Sequence, residues 1–194
     1  LDPAFIDIAL HMTGNNTVRI AIGDNLLRMP AVTSLMRLNR SFIVKRSIEA
    51  PREKLKALTH LSKYIGLSIA ENNSIWIAQR EGRTKDGNDE TNPGILKMLG
   101  MGSDEKNLMD YFKKLKIVPV SISYEYDPTD VLKMPQLMAE ANNEVYIKEK
   151  NEDFMTILSG IMGTKKRIHI SVGDVLDTEI DQIVAENDNT NKHI

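Results

Sequence analysis

Cysteine is absent from this chain of 194 residues, which excludes disulfides, thiolate metal sites and a cysteine nucleophile. A charge excess is nearly absent too: 25 Lys and Arg stand against 27 Asp and Glu, a formal net charge of -2. With no basic surplus nothing points to nucleic acid, so an anion site has to come from a local cluster. Long apolar runs are also missing. None approaches the roughly 20 residues that a membrane-spanning helix needs, and no signal-peptide pattern opens the chain. What is present is 41% hydrophobic and 27% charged, the balance of a globular chain long enough for one domain.

The opening Leu1-Asp2-Pro3-Ala4-Phe5-Ile6 already reads as a helix, with Asp2 as a cap and Pro3 in the first turn. A domain that begins on its first cap, without an initiator Met, reads as part of a longer protein. Helical spacing covers 3–12. Alternation over Val18 to Ile22 predicts a strand ending at Gly23-Asp24-Asn25, and Ala31 to Leu38 suit a short helix. Phe42 to Val44 form a brief apolar strand, and Leu55, Leu58, Leu61, Ile65 and Ile69 mark one face of a helix over 51–68. A buried strand is expected over Ser74 to Ala78, helices over 95–101 and 107–115, and a strand over Ile117 to Tyr124. Mostly helical, amphipathic sequence fills 129–163. A last strand over Arg167 to Val172 and a helix over 178–186 follow. This alternation predicts an α/β fold, a mostly parallel central sheet flanked by helices. It forms a single domain over 1–186, with a polar tail over 187–194.

In such sheets ligands gather beyond the carboxyl ends of the strands. Three predicted strands end there in polar clusters: Lys45-Arg46, Gln79-Arg80-Glu81 and Tyr124-Glu125. The segment Gln79-Arg80-Glu81-Gly82-Arg83-Thr84-Lys85-Asp86-Gly87 concentrates three cations, two carboxylates and two glycines behind one strand. Arginine forks suit phosphate oxygens, although a charge run of this kind is also what a solvated loop carries. Pro119 removes a ladder hydrogen bond from an apolar strand, which implies an edge or a bulge.

In this order the segments resemble the signature blocks of the glycerol-3-phosphate and lysophosphatidate acyltransferase family. The second block of that family is an apolar run ending in arginine, matched by Phe42-Ile43-Val44-Lys45-Arg46. The third is built on Glu-Gly with Arg and Ser or Thr, matched by Glu81-Gly82-Arg83-Thr84. The fourth is a Val-Pro-Val strand, matched by Val118-Pro119-Val120. Two departures stand out. Gln79-Arg80 replaces the usual Phe-Pro, which leaves Arg80 and Arg83 as alternatives for the family arginine. The first block, a His followed five positions on by an Asp, is matched in spacing only by His169 and Asp174, at the wrong end of the domain.

The resemblance implies an O-acyltransferase of phospholipid synthesis, transferring a fatty acyl group from acyl-CoA or acyl carrier protein to a glycerol-3-phosphate or lysophospholipid hydroxyl. Arg46, Gly82 and Arg83, with Arg80 and Lys85, would hold the acceptor phosphate. Glu81 would position the arginines, and Pro119 would shape the pocket wall. Asp2 is either the acid that orients the catalytic histidine or a plain helix cap. On the first reading the histidine precedes Leu1, and this chain by itself is inactive. No cofactor or metal is implied. The expected location is cytoplasmic, at the inner face of a membrane, where such lipids are met. Three rival readings are a degenerate phosphate-binding module, an acyltransferase for an amino-acid-based lipid, and an unrelated phosphate-binding α/β domain in which the order of the three blocks is coincidence.

Overall fold

A computed structural model describes residues 2–24, 33–34, 38–45, 47–79, 90–149 and 152–186. Their elements run α1 (Asp2–Met12), β1 (Arg19–Gly23), β2 (Phe42–Val44), α2 (Pro51–Ala70), β3 (Ile75–Trp76), α3 (Pro93–Gly100) and α4 (Leu108–Leu115). They continue with β4 (Val120–Tyr124), α5 (Asp130–Ala141), α6 (Glu152–Met162), β5 (Ile168–Val172) and α7 (Asp177–Glu186). The chain is α/β. Most of the helix predicted over 31–38 lies outside the described residues.

One sheet is parallel and small, with the order β2-β1-β3. β1 pairs with β2 through Ala21–Phe42, Ile22–Ile43 and Gly23–Val44, and with β3 through Arg19–Ile75 and Ile20–Trp76. The expectation of a single, mostly parallel sheet is corrected at β4 and β5. These two form a separate antiparallel ribbon, with Val120 opposite Val172 and Tyr124 opposite Ile168. Pro119 sits just ahead of β4, where its missing N–H costs the ladder nothing. The buried strand expected over Ser74 to Ala78 is also corrected: β3 is two residues long, lies at a sheet edge and is half-buried.

Ile20 and Ile22 on β1, with Val18 before it, form one apolar cluster, against which Leu10 of α1 and Trp76 pack. The larger core gathers Ile65 of α2, Met98 and Leu99 of α3, Met109, Phe112 and Leu115 of α4, and Ile180 of α7. The periodicity of α2 holds at Leu58, Leu61, Ile65 and Ile69, but Leu55 stays 56% exposed because it lies one turn short of the packed region. Ser62 is fully buried. Its hydroxyl donates to the Leu99 carbonyl and accepts the Gly102 N–H at 2.8 Å, so one side chain clasps α2 to the end of α3.

The last turn of α2 carries no basic residue, yet the carboxyl end of a helix attracts cations. Two arginines from elsewhere supply them. Arg19 donates to Ser68 Oγ at 2.8 Å and to the Tyr64 hydroxyl at 3.3 Å. Arg40 donates to Asn73 Oδ1 and to the Thr17 carbonyl, both at 2.8 Å. These bonds fix the carboxyl end of α2 at the amino edge of the parallel sheet. Its amino end, about 30 Å away at 1.5 Å per residue, is thereby directed toward the carboxyl edge.

Candidate functional site

Parallel pairing sends β1, β2 and β3 out of the sheet on the same side. There, beyond Gly23 and Val44, stand Asp24 and Lys45. Ser47 donates to Asp24 Oδ2 at 2.9 Å and ties the two exits together. β3 ends at Trp76, which pairs with Ile20, and Gln79 follows three residues on. The backbone carbonyl of Gln79 accepts the Asn92 N–H at 2.9 Å, and its side chain accepts from Thr91 Oγ1 at 3.1 Å. The segment between them therefore departs and returns at one point. Asn92 also caps α3, its Oδ1 taking the Gly94 N–H at 2.8 Å ahead of Pro93. The amino terminus of α3 opens beside that root, and α2 starts without a side-chain cap, so its first N–H groups have no side-chain acceptor. Helix starts of this kind favour anions.

The order β2-β1-β3 also has a topological consequence. The chain leaves β1 for one neighbour and then crosses to the other, and in open α/β sheets the crevice at such a reversal is where ligands bind. That crevice lies between the ends of β1 and β3, at Asp24 and Gln79.

Of the residues singled out in the sequence, Arg46, Arg80, Glu81, Gly82, Arg83 and Lys85 lie outside the described residues. Their described neighbours are Lys45, Ser47 and Gln79, all associated with this edge. Asp2 is among the described residues. It is exposed in the first turn of α1 and accepts a hydrogen bond from the Tyr124 hydroxyl at 2.5 Å. Phe5 of the same helix meets the Tyr124 ring edge-on, with centroids 5.8 Å apart. Burial, and then the Asp2 carboxylate, push the Tyr124 phenol above its ordinary range, so it remains the donor. Pro119 stands at the opposite end of β4, against Gly173, whose N–H it accepts at 2.9 Å. Five residues of strand, about 17 Å, separate it from the Tyr124 end, so the structure does not bring Asp2 and Pro119 together.

The third expected strand-end cluster is corrected. Tyr124 and Glu125 end the antiparallel ribbon rather than the parallel sheet. Glu125 is engaged with Arg167, whose Nε lies 3.0 Å away, and with Lys166 at 3.8 Å. His169 projects from β5 opposite Ser123 and is exposed, as are His11 and His60. Among the described residues, no group of three or more His, Asp or Glu side chains converges to hold a metal ion. Sequence reasoning missed the Asp24–Ser47 link, the closure from Gln79 to Asn92, and the grip of Tyr124 on Asp2. The second had a readable signal, since Asn92-Pro93 is a helix-start pattern behind a polar loop.

No helix among the described residues is long and apolar enough to cross a membrane. Comparison with protein-family models, curated proteins and solved structures finds no match to this chain.

Proposed function

We propose that this chain carries the acceptor-binding part of an O-acyltransferase that moves a fatty acyl group from acyl-CoA or acyl carrier protein onto a glycerol-phosphate-type hydroxyl. The observation that carries the reading is the parallel order β2-β1-β3. The strand leading into Lys45-Arg46 and the strand leading into the Glu81-Gly82-Arg83 segment flank β1 on either side and leave the sheet on the same side. An anionic head group held there meets Lys45 and Arg46 from one strand, and Arg83 with Arg80 or Lys85 from the other. Bidentate guanidinium contacts fix its orientation, and binding energy spent on the phosphate aligns a hydroxyl remote from it for attack on the acyl thioester. Glu81 positions the arginines. Asp2, steadied by Tyr124, orients the imidazole that takes the hydroxyl proton. That imidazole is not assigned to His11, His60 or His169. The substrate places the working protein at a membrane face on the cytoplasmic side.

A second reading, a phosphate-binding module without a base, is favoured by the exposure of all three described histidines. Titration calorimetry with glycerol-3-phosphate tests the pocket common to both. Arg83→Ala and Arg46→Ala are each expected to weaken binding about tenfold or more, the scale of a lost charge-assisted hydrogen bond. Heats identical to those of the parent chain would remove both arginines from the site. Acylation of glycerol-3-phosphate or lysophosphatidate by the protein, with release of the thiol from the acyl thioester, or its absence, then separates the enzyme from the binding module.

A further inference from the structure

The two helices α5 and α6 each leave a run of large apolar side chains in solvent. On α5 Lys133 pairs with Asp127, Gln136 and Leu137 are half-buried and Ala139 is buried, while Val131 and Met138 stand 74% and 59% exposed. On α6 Thr156 and Gly160 are buried and Ile157 is half-buried, while Met155, Leu158, Ile161 and Met162 face outward, the last two at 58% and 78% exposure. A surface helix of a globular protein turns its polar side to solvent, and an exposed apolar face of this kind marks an interaction site.

The start of α5 and the end of α6 meet at one corner. A Cβ on Gly163, just past α6, would lie 2.3 Å from Pro128 Cβ, just ahead of α5. The Tyr126 N–H bonds the Lys165 carbonyl at 3.2 Å, and the Glu125 N–H bonds that of Arg167 at 2.9 Å. Lys165, Lys166 and Arg167 thus border the apolar end of α6, and the sequence from Met155 to Thr164 has no charge of its own. Of the nearby carboxylates, Asp127 is taken by Lys133 and Asp130 bonds the N–H of Val131 at 2.6 Å. Among the described residues Glu125 is the carboxylate paired with the basic run, and its contacts go to Lys166 and Arg167, while Lys165 donates to the Ile161 and Gly163 carbonyls. Three cations with one carboxylate leave positive charge beside the apolar face. Tyr126, half-exposed with Lys166 Nζ 4.5 Å above its ring, adds an amphipathic aromatic at the same level.

We infer that the outward face of α5 and α6, edged by Lys165, Lys166 and Arg167, docks on an anionic lipid surface. The side chains of Ile161 and Met162 enter the headgroup boundary, and the basic run lies among the lipid charges. The inference rests on these residues alone and stands whether or not the chain transfers acyl groups.

Co-sedimentation with vesicles tests it, using phosphatidylserine in one arm and phosphatidylcholine in the other, so that no lipid offers the glycerol-phosphate terminus of the proposed acceptor. The chain is expected to bind the phosphatidylserine vesicles at least tenfold better, and added salt should weaken that binding. Ile161→Asp with Met162→Asp should reduce it tenfold or more without changing the thermal unfolding curve, since both side chains already face solvent. Leu67→Asp, on an equally exposed apolar residue of α2, should leave it unchanged. Failure to sediment with phosphatidylserine overturns the inference, and so does an equal loss from Leu67→Asp. Concentration-dependent dimerisation that disappears in the Ile161→Asp, Met162→Asp pair, with no vesicle binding, assigns the face to a second copy of the chain instead.

Discussion

Replacing Ser62 with alanine removes one hydroxyl from a site with no access to solvent. That hydroxyl is donor to the Leu99 carbonyl and acceptor for the Gly102 N–H. Alanine leaves both backbone groups buried and unpaired. No water reaches them without opening the contact between α2 and α3, because Gly102 packs so closely that a Cβ there would sit 2.5 Å from the Lys63 backbone nitrogen. Each orphaned group costs about 1–3 kcal/mol. The substitution is therefore expected to destabilise the chain by roughly 2–6 kcal/mol, a large share of the roughly 5–15 kcal/mol typical of a folded domain. For a chain of this size that is a fall in Tm of about 4–24 °C, taking roughly 2–4 °C per kcal/mol. Ser68→Ala is the matched control. Ser68 is 1% exposed, but its partner Arg19 keeps the Tyr64 hydroxyl, so the expected loss is about 1 kcal/mol. Urea unfolding followed by circular dichroism reads both, with the m-value showing whether the folded states remain comparable. Equal midpoints for the two variants would refute the view that Ser62 carries two bonds that nothing else can make.

Two further outcomes concern pH. The Tyr124 phenol is raised from 10.0 by burial and by Asp2, so its share of stability is complete below pH 10.0 and is lost as pH rises toward the higher folded value. Tyr124→Phe should flatten the alkaline limb of a Tm-versus-pH curve, though only in part, because Tyr111 and Tyr146 are shifted the same way. Asp127 behaves oppositely. Burial pushes its carboxyl up, but the Lys133 ammonium and the Thr129 hydroxyl and N–H outweigh this and hold it below 3.8. Its stabilisation is present above that value and fades as pH falls through the lower folded one, so Asp127→Asn should make the acid limb shallower. An unchanged acid limb would show that the Lys133 contact contributes nothing.

Legibility in the sequence followed what each signal encodes. Helical spacing from Leu58 to Ile69 found α2, and the apolar triplet from Phe42 to Val44 found β2 with its bounds. Partnering was harder. Val120, Ile122 and Tyr124 alternate with Ser121 and Ser123, and that wet second face fits an antiparallel ribbon better than a strand buried on both sides. The signal was present but outweighed by the overall α/β rhythm. The direction in which α5 and α6 turn their apolar faces is not readable at all, since periodicity defines a stripe without saying which way it points. The candidate site was legible only as blocks along the chain. That the strands leading into two of them flank β1 needed the register from Ala21–Phe42 and Ile20–Trp76.

The pinning of Gln79 to Thr91 and Asn92 has a consequence for how this protein can change. The residues between those anchors can be exchanged or extended while the strand before them and the helix after them stay in place. Doubling the length of such a closed segment costs only about 0.6 kcal/mol in chain entropy. Sequence change is therefore open to the protein in one insert, with the scaffold untouched.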